Sequence, residues 1–227
     1  MCGRFTQKSE RRVLQDKFFI QEFSDHVVVS YNVAPGQKAG VVINDGRNRY
    51  VQFTWGLVPA WADDPKVGSR MINARGETVT DKPSFRRAFE KRRCIVPADG
   101  FYEWQKKDTY KAPFYIYRRS GKPFGLAGLW ERWVPKDTPS EVSSGDRALF
   151  TFTIITIEAS PVLKELHDRM PVIVPEEKRD QWLSGEQGEE TILVPYRGED
   201  LAFHEVSRYV NSPENNSPEC IQPLSQQ

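Results

Sequence analysis

The chain has 227 residues, enough for one large domain with a substantial core, and 32 Lys/Arg against 31 Asp/Glu leave a formal net charge of +1, which excludes a global field that would gather polyanions. No run of eighteen apolar residues occurs, so a membrane-spanning helix is excluded, and the first residues lack the basic flank and apolar stretch of a signal peptide; a cytoplasmic protein is expected. Cys2, Cys94 and Cys220 form no C-x-x-C pair, which argues against a disulfide framework or a zinc module and for free thiols.

In chain order, Ser9 is placed to cap a helix over 10–20 that turns Val13, Leu14 and Phe18 to one face. Short apolar or alternating runs bounded by turn residues then read as strands: HVVVSYNVAPG, AGVVINDG, RYVQFTWG, CIVPADGFYEW, PFYIYRRSG and PFGLAGLW. NDG and RSG suit hairpin turns, because Asn, Asp and Gly tolerate positive φ. FRRAFEKRR, after Pro83-Ser84, predicts a basic amphipathic helix with Phe85, Ala88 and Phe89 inward. The polar stretch PKDTPSEVSSGD (135–146) marks an exposed loop over 135–147, and ALFTFTIITI a buried strand. Ser160-Pro161 resembles an N-cap followed by Pro at the first helical position, opening a helix PVLKELHDR; MPVIV is a strand, PEEKRDQWLSG a helix and LAFHEVSRYV a late strand. Without repeats or sustained strand–helix alternation, the fold class expected is α+β: one domain over 1–227, built on a mainly antiparallel sheet or barrel with a few peripheral helices. G-x-G-x-x-G, Walker A and H-E-x-x-H motifs are absent, so no cofactor and no metal are expected.

Five polar-and-aromatic clusters fall at strand ends, where loops on a rigid scaffold host sites: YNVAPG (31–36), WGLVPAW (55–61), INARGET (72–78), ADGFYEW (98–104) and HDRMP (167–171). Glu103, between Tyr102 and Trp104, is either a carboxyl buried among aromatics, with a raised pKa suited to general acid/base work, or an outward-facing strand residue. His167 falls in the last turn of its predicted helix, either as a functional imidazole or as a satisfied structural one. Asn73 and Arg75 flank an alanine and share a face of an extended segment, where either could instead satisfy loop backbone. Residues 82–93 hold six Lys/Arg against one Glu, a local excess of five in a nearly neutral chain. Such a run is either a solvated face or, with Phe85, Phe89, Trp55, Trp61 and Trp104, a surface for single strands, where arginines meet phosphates and bases stack on rings.

Cys2 is either part of a frayed terminus or a nucleophile. Once Met1 is removed, an α-amine of reference pKa about 7.7–8.0 lies beside a thiol of about 8.5, so a useful fraction of each is nucleophilic near neutral pH. A 1,2-aminothiol condenses with an aldehyde to an imine, which the thiol closes to a thiazolidine. The basic patch suggests an aldehyde carried on nucleic acid, the ring-opened sugar of an abasic site.

Together, MCGRF, YNVAPG, WGLVPAW, INARGET, ADGFYEW and HDRMP, in this order and across nearly the whole chain, resemble the SRAP family, the SOS response-associated peptidases regarded as abasic-site processing proteins. The resemblance implies one α+β domain with a mainly antiparallel, β-barrel-like core, a positively charged channel for single-stranded DNA ending near Cys2, and covalent capture of abasic sites. It implies Cys2 as nucleophile, Asn73 as stabiliser of the captured sugar, Glu103 as the sensing and proton-moving carboxylate, and His167 as the residue that holds and opens the sugar and assists reversal. Arg4, Arg75, Arg86 and Arg87 match phosphate-binding positions, and Pro35 and Trp104 positions against neighbouring bases. The implied partner is abasic single-stranded DNA, including single-strand/duplex junctions, met by a monomer that joins the nucleoid when bound to DNA. β-Elimination from the imine would give lyase activity. Two other readings remain open: a thiol peptidase releasing Met1 through Cys2, His167 and Asn73, and a non-catalytic reader of single-stranded or modified DNA.

Overall fold

The computed structural model describes residues 2–136, 147–185 and 191–224. Its strands are β1 (Phe5–Gln7), β2 (Glu22–Phe23), β3 (Ser30–Val33), β4 (Lys38–Asn44), β5 (Asn48–Trp55), β6 (Asn73–Arg75) and β7 (Arg93–Ala98). Then follow β8 (Gly100–Lys106), β9 (Lys111–Arg118), β10 (Phe124–Trp133), β11 (Leu149–Glu158), β12 (Arg169–Pro171), β13 (Ile173–Val174) and β14 (Leu201–Glu205). Three short helices, α1 (Arg11–Phe18), α2 (Arg86–Lys91) and α3 (Arg179–Ser184), lie around them.

Five strands close on themselves. β11 pairs β10, β10 pairs β7, β7 pairs β4 and β4 pairs β5, all antiparallel, and β5 returns to β11 in parallel through Thr54↔Thr151 and Trp55↔Phe152. The fold is therefore α+β around a closed, mainly antiparallel barrel. β6 and β12 add to β11, β13 to β10 and β2 to β5. A second, wholly antiparallel sheet runs β14-β9-β8-β1-β3. Both share one core, in which Phe5, Phe101 and Ile116 of the second sheet join Val41, Ile95, Leu126, Phe152 and Ile154 of the barrel. A smaller cluster, Tyr102, Tyr115, Val206, Val210 and Cys220, seals the opposite face of the second sheet.

Several expected elements form differently. Glu10, not Ser9, sits at the N-cap of α1, because the Asp99 carboxylate takes the amide hydrogens of Lys8 and Ser9 and the Ser9 hydroxyl. Leu14 and Phe18 face inward, whereas Val13 is exposed. The run 94–104 is two strands broken at Asp99, and Gly100 opens the second because a Cβ there would lie 2.5 Å from the Tyr115 ring. NDG closes the β4–β5 hairpin with Gly46 at φ 101°. RSG also turns the chain, but β9 and β10 belong to different sheets, so it is not a hairpin. Residues 161–166 form turns instead of a helix, and the late strand stops at Glu205 before a 3-10 turn, Arg208–Asn211. Most of the expected 135–147 loop, residues 137–146, lies outside the described residues. Cys2, Cys94 and Cys220 are all free and buried, and no helix among the described residues is long and apolar enough to cross a membrane.

Candidate active site

Gly3 and Arg4 separate Cys2 from β1, whose antiparallel register with β8 pairs Phe5 with Phe101. The Tyr102 amide donates to the Arg4 carbonyl at 2.9 Å, and the same register carried one step further sets Gly3 across from Glu103. On another side stands β6, held parallel to β11 with Asn73 opposite Ile154. Asn73 Nδ2 donates to the Cys2 carbonyl at 2.7 Å. Asn73 Oδ1 is buried with no hydrogen-bond partner among the described residues. Cys2 is fully buried, its sulfur 3.9 Å from the Arg4 carbonyl. Burial, and after it the neighbouring Glu103 charge, push the Cys2 thiol far above its ordinary range, so in the chain that retains Met1 the sulfur is a protonated thiol. This departs from the near-neutral nucleophile that reference values suggest.

Glu103 faces inward. Its strand is covered on both sides, Phe101 entering the barrel core and Tyr102 the second cluster, so the alternation that would put Glu103 in water does not operate. Burial pushes its carboxyl up to about 7. A group poised there exchanges protons at neutral pH in either direction.

His167 ends the 161–166 turns. Its amide donates to the Leu163 carbonyl, and its Nδ1 accepts from the Arg169 amide at 2.9 Å, so the neutral ring carries its proton on Nε2. Burial lowers its pKa, which favours that neutral form. The last-turn helix dipole expected to favour its protonation is absent with the helix. Gln105 Nε2, two residues past Glu103, donates to the Glu165 carbonyl at 2.9 Å and holds this turn to β8. Arg169 in turn grips both carboxylate oxygens of Glu77, at 2.5 and 3.0 Å, across β11. Gln105, Glu77 and Arg169 were not singled out from the sequence, although Glu77 and Arg169 lie inside two of the clusters that were.

The residues expected at DNA fall into two groups. Around Cys2, Arg75 is exposed two residues beyond Asn73, with Ala74 between them buried. Arg4 Nη1 is committed to Asn32 Oδ1 at 2.7 Å and the Val210 carbonyl at 2.8 Å, which leaves Nη2, 3.4 Å from the Asn211 carbonyl, as its more available edge. Trp104 Nε1 donates to Asn211 Oδ1 at 2.8 Å, and the Arg4 guanidinium lies 5.8 Å from its ring centre. Pro35 is exposed at a cavity of about 290 Å³ that Trp55, Gly56 and Thr151 also line. The second group, Arg86 and Arg87, is exposed on α2, which packs on β7 and β10. The patch is smaller than its sequence count: Arg92 pairs with buried Glu131 at 2.6 Å, and buried Arg93 packs against the Phe89 and Trp182 rings.

A larger cavity, about 820 Å³, lies elsewhere, where Arg118 is already paired with Glu176 and Asp200. Among the described residues no three His, Cys, Asp or Glu side chains group as metal ligands would.

Comparison with known proteins covers the whole arrangement. The chain is 43% identical to abasic site processing protein YoqW of Bacillus subtilis (strain 168), over 98% of this chain and 99% of that one. It is 33% identical to abasic site processing protein YedK of Escherichia coli (strain K12), over 99% and 100%. A crystal structure of a protein from Bacteroides thetaiotaomicron superposes with a TM-score of 0.85 at 25% identity, covering 99% of this chain and 100% of that one. The family model described as SOS response associated peptidase (SRAP) matches residues 1–213, and the chain belongs to that family.

Proposed function

We propose that the chain captures abasic sites in single-stranded DNA by bonding the open-chain aldehyde of the lesion to Cys2. The observation that carries this reading is the meeting, at a buried cysteine in second position, of the Asn73 carboxamide with a carboxyl, Glu103, pushed up to about 7. The abasic-site processing named for YoqW and YedK agrees with it.

Hydrolysis of the Met1–Cys2 bond frees the Cys2 amine. The amine adds to C1′ of the ring-opened sugar, and loss of one water gives the imine. Sulfur then adds to the carbon of the protonated imine as the thiol gives up its proton, so the thiazolidine closes without a further leaving group. Glu103 supplies the proton that departs with the carbinol hydroxyl and then accepts the thiol proton, a shuttle its pKa suits. This removes the need for a free thiolate, which burial disfavours. Asn73 Oδ1 accepts from the captured sugar, and the His167 Nε2–H holds it, promotes ring opening and assists reversal. Arg75, Arg86, Arg87 and the Nη2 edge of Arg4 meet phosphates, with Pro35 and Trp104 against flanking bases. β-Elimination from the imine is the side reaction, giving lyase products.

In the peptidase reading Asn73 would serve the carbonyl of Met1, whereas its Nδ2 is given to that of Cys2, one peptide group further on. A non-catalytic reader gives the buried carboxyl of Glu103 no task.

The test is incubation of the processed protein with single-stranded DNA bearing one abasic site, read as a heat-stable adduct on a denaturing gel. Wild type forms it and Cys2→Ala does not; an equal yield from Cys2→Ala overturns the mechanism. Intact mass of Glu103→Ala and His167→Ala protein reports whether Met1 release needs the chain's own residues.

A further inference from the structure

We infer that the Glu77–Arg169 ion pair is a positioning clamp that fixes the tautomer and place of the His167 imidazole relative to Asn73. The inference rests on the reading above that His167 and Asn73 serve one captured sugar.

The clamp spans three strands. Arg169 opens β12 opposite Glu158 of β11, and its guanidinium crosses β11 to donate to the Thr156 carbonyl and to both oxygens of Glu77. Thr156 is itself the β11 partner of Arg75, and Glu77 lies two residues beyond Arg75 in the 3-10 turn Gly76–Thr78. One side chain therefore ties the strand that presents Asn73 to the strand that follows His167. The backbone of the same arginine donates to His167 Nδ1 at 2.9 Å, so the residue that grips Glu77 also dictates which imidazole nitrogen carries the proton. Planar two-point pairing to a carboxylate fixes direction as well as distance, which a lysine cannot do.

The exposure of the pair separates this role from a stabilising one. The Glu77 side chain is 49% exposed, and ion pairs in such surroundings contribute little to folding. The carboxylate is nevertheless held below its ordinary pKa, first by the Arg169 hydrogen bond. A directional contact of little folding value at the junction of two site segments has positional consequences when cut.

The experiment compares wild type, Glu77→Gln, Arg169→Lys and the exchanged pair Glu77→Arg/Arg169→Glu. The readouts are single-turnover crosslinking at saturating abasic single-stranded DNA, affinity for undamaged single-stranded DNA of the same length, thermal midpoint, and imidazole ¹⁵N shifts of His167 assigned through His167→Gln. Glu77→Gln is expected to slow crosslinking about tenfold, well short of the roughly 100-fold cost of a full ångström of misplacement. It should also move His167 from the Nε2–H form to a mixture of tautomers, with affinity for undamaged DNA within twofold and the midpoint nearly unchanged. The exchanged pair should recover part of the rate. An unchanged tautomer and rate in Glu77→Gln, with Arg169→Lys losing only DNA affinity, overturns the clamp and makes Arg169 a phosphate contact. If wild type forms no adduct, the functional reading fails, while the His167 shifts still decide whether the clamp sets the ring.

Discussion

Asn73 holds the carbonyl of Cys2 with its Nδ2 at 2.7 Å while its Oδ1 points into the protein with no hydrogen-bond partner among the described residues. One carboxamide thus fixes the Cys2 backbone and keeps an acceptor for something else, and a carboxylate cannot do both. Asn73→Asp replaces the donor with a charge beside the Cys2 carbonyl. The expected outcome is a crosslinking rate lower by about 100-fold, the scale of a lost positioning contact. Single-turnover gel kinetics measure it; a rate within twofold of wild type would remove Asn73 from the site.

The Glu103 carboxyl, raised from 4.5 to about 7 by burial, links stability to pH. Its native state holds a proton over a range where the unfolded chain has released it, so stability falls as pH rises from about 4.5 to about 7 and is level above that. The shift corresponds to about 3 kcal/mol at this buried position, and Glu103→Gln should therefore be more stable than wild type at pH 8 by up to that amount, with the gain vanishing near pH 4. The same variant should crosslink about 100-fold more slowly or worse, as expected for loss of a proton-transfer group. Urea denaturation at pH 5 and pH 8 tests the first half, since equal differences at the two pH values would mean that Glu103 does not titrate near 7.

How far the sequence reveals this molecule depends on how local each signal is. ALFTFTIITI reads as a buried strand and NDG as a hairpin because both are set by neighbours in the chain, and both form. Ser160-Pro161 carries a local helix-start signal that the fold overrules. β11 and β12 pair antiparallel up to Glu158↔Arg169, so the ten intervening residues must return to their starting point, whereas nine helical residues would carry the chain about 13 Å away. Glu103 reads ambiguously because alternation reports burial only when one face of a strand is wet, and both faces of β8 are covered there. Arg92 and Arg93 inflate the basic patch because pairing with Glu131 and packing against Trp182 depend on residues far along the chain. For the same reason the resemblance of the N-terminal motifs could nominate Cys2 and Asn73, but not the hydrogen bond between them, which spans 71 residues.

The exposed arginines of α2 give a prediction in salt rather than in rate. Each phosphate contact on a single strand contributes about 0.7 to the slope of log affinity against log salt. Arg86→Ala/Arg87→Ala should therefore flatten that slope by about 1.4 for undamaged single-stranded DNA, with little change in thermal midpoint because both side chains are exposed. Fluorescence anisotropy at several salt concentrations measures it. An unchanged slope would assign α2 to a solvated face away from the DNA.

Asn32 is the counterpart of Asn73 on the far side of the N-terminal strand. Its Oδ1 accepts from Arg4 at 2.7 Å, and its Nδ2 is directed at the carbonyls of Val210, Ser212 and Asn215, at 3.2, 2.9 and 2.6 Å. The side chain is buried, so residues 210–215 and Arg4, two residues from Cys2, are fastened together through one amide. Asn32→Ala leaves the Arg4 donor and these carbonyls short of partners, at a cost of about 3 kcal/mol for buried groups of this kind. The expected outcome is a lower denaturation midpoint together with faster hydrogen exchange at Val210 and Asn215, whose amides bond to the carbonyls of Ser207 and Ser212. Asn32→Asp keeps the acceptor for Arg4 but loses the donors, so it should preserve the N-terminal strand and loosen only the 210–215 segment. Equal exchange in both segments for the two variants would show that Asn32 does not couple them.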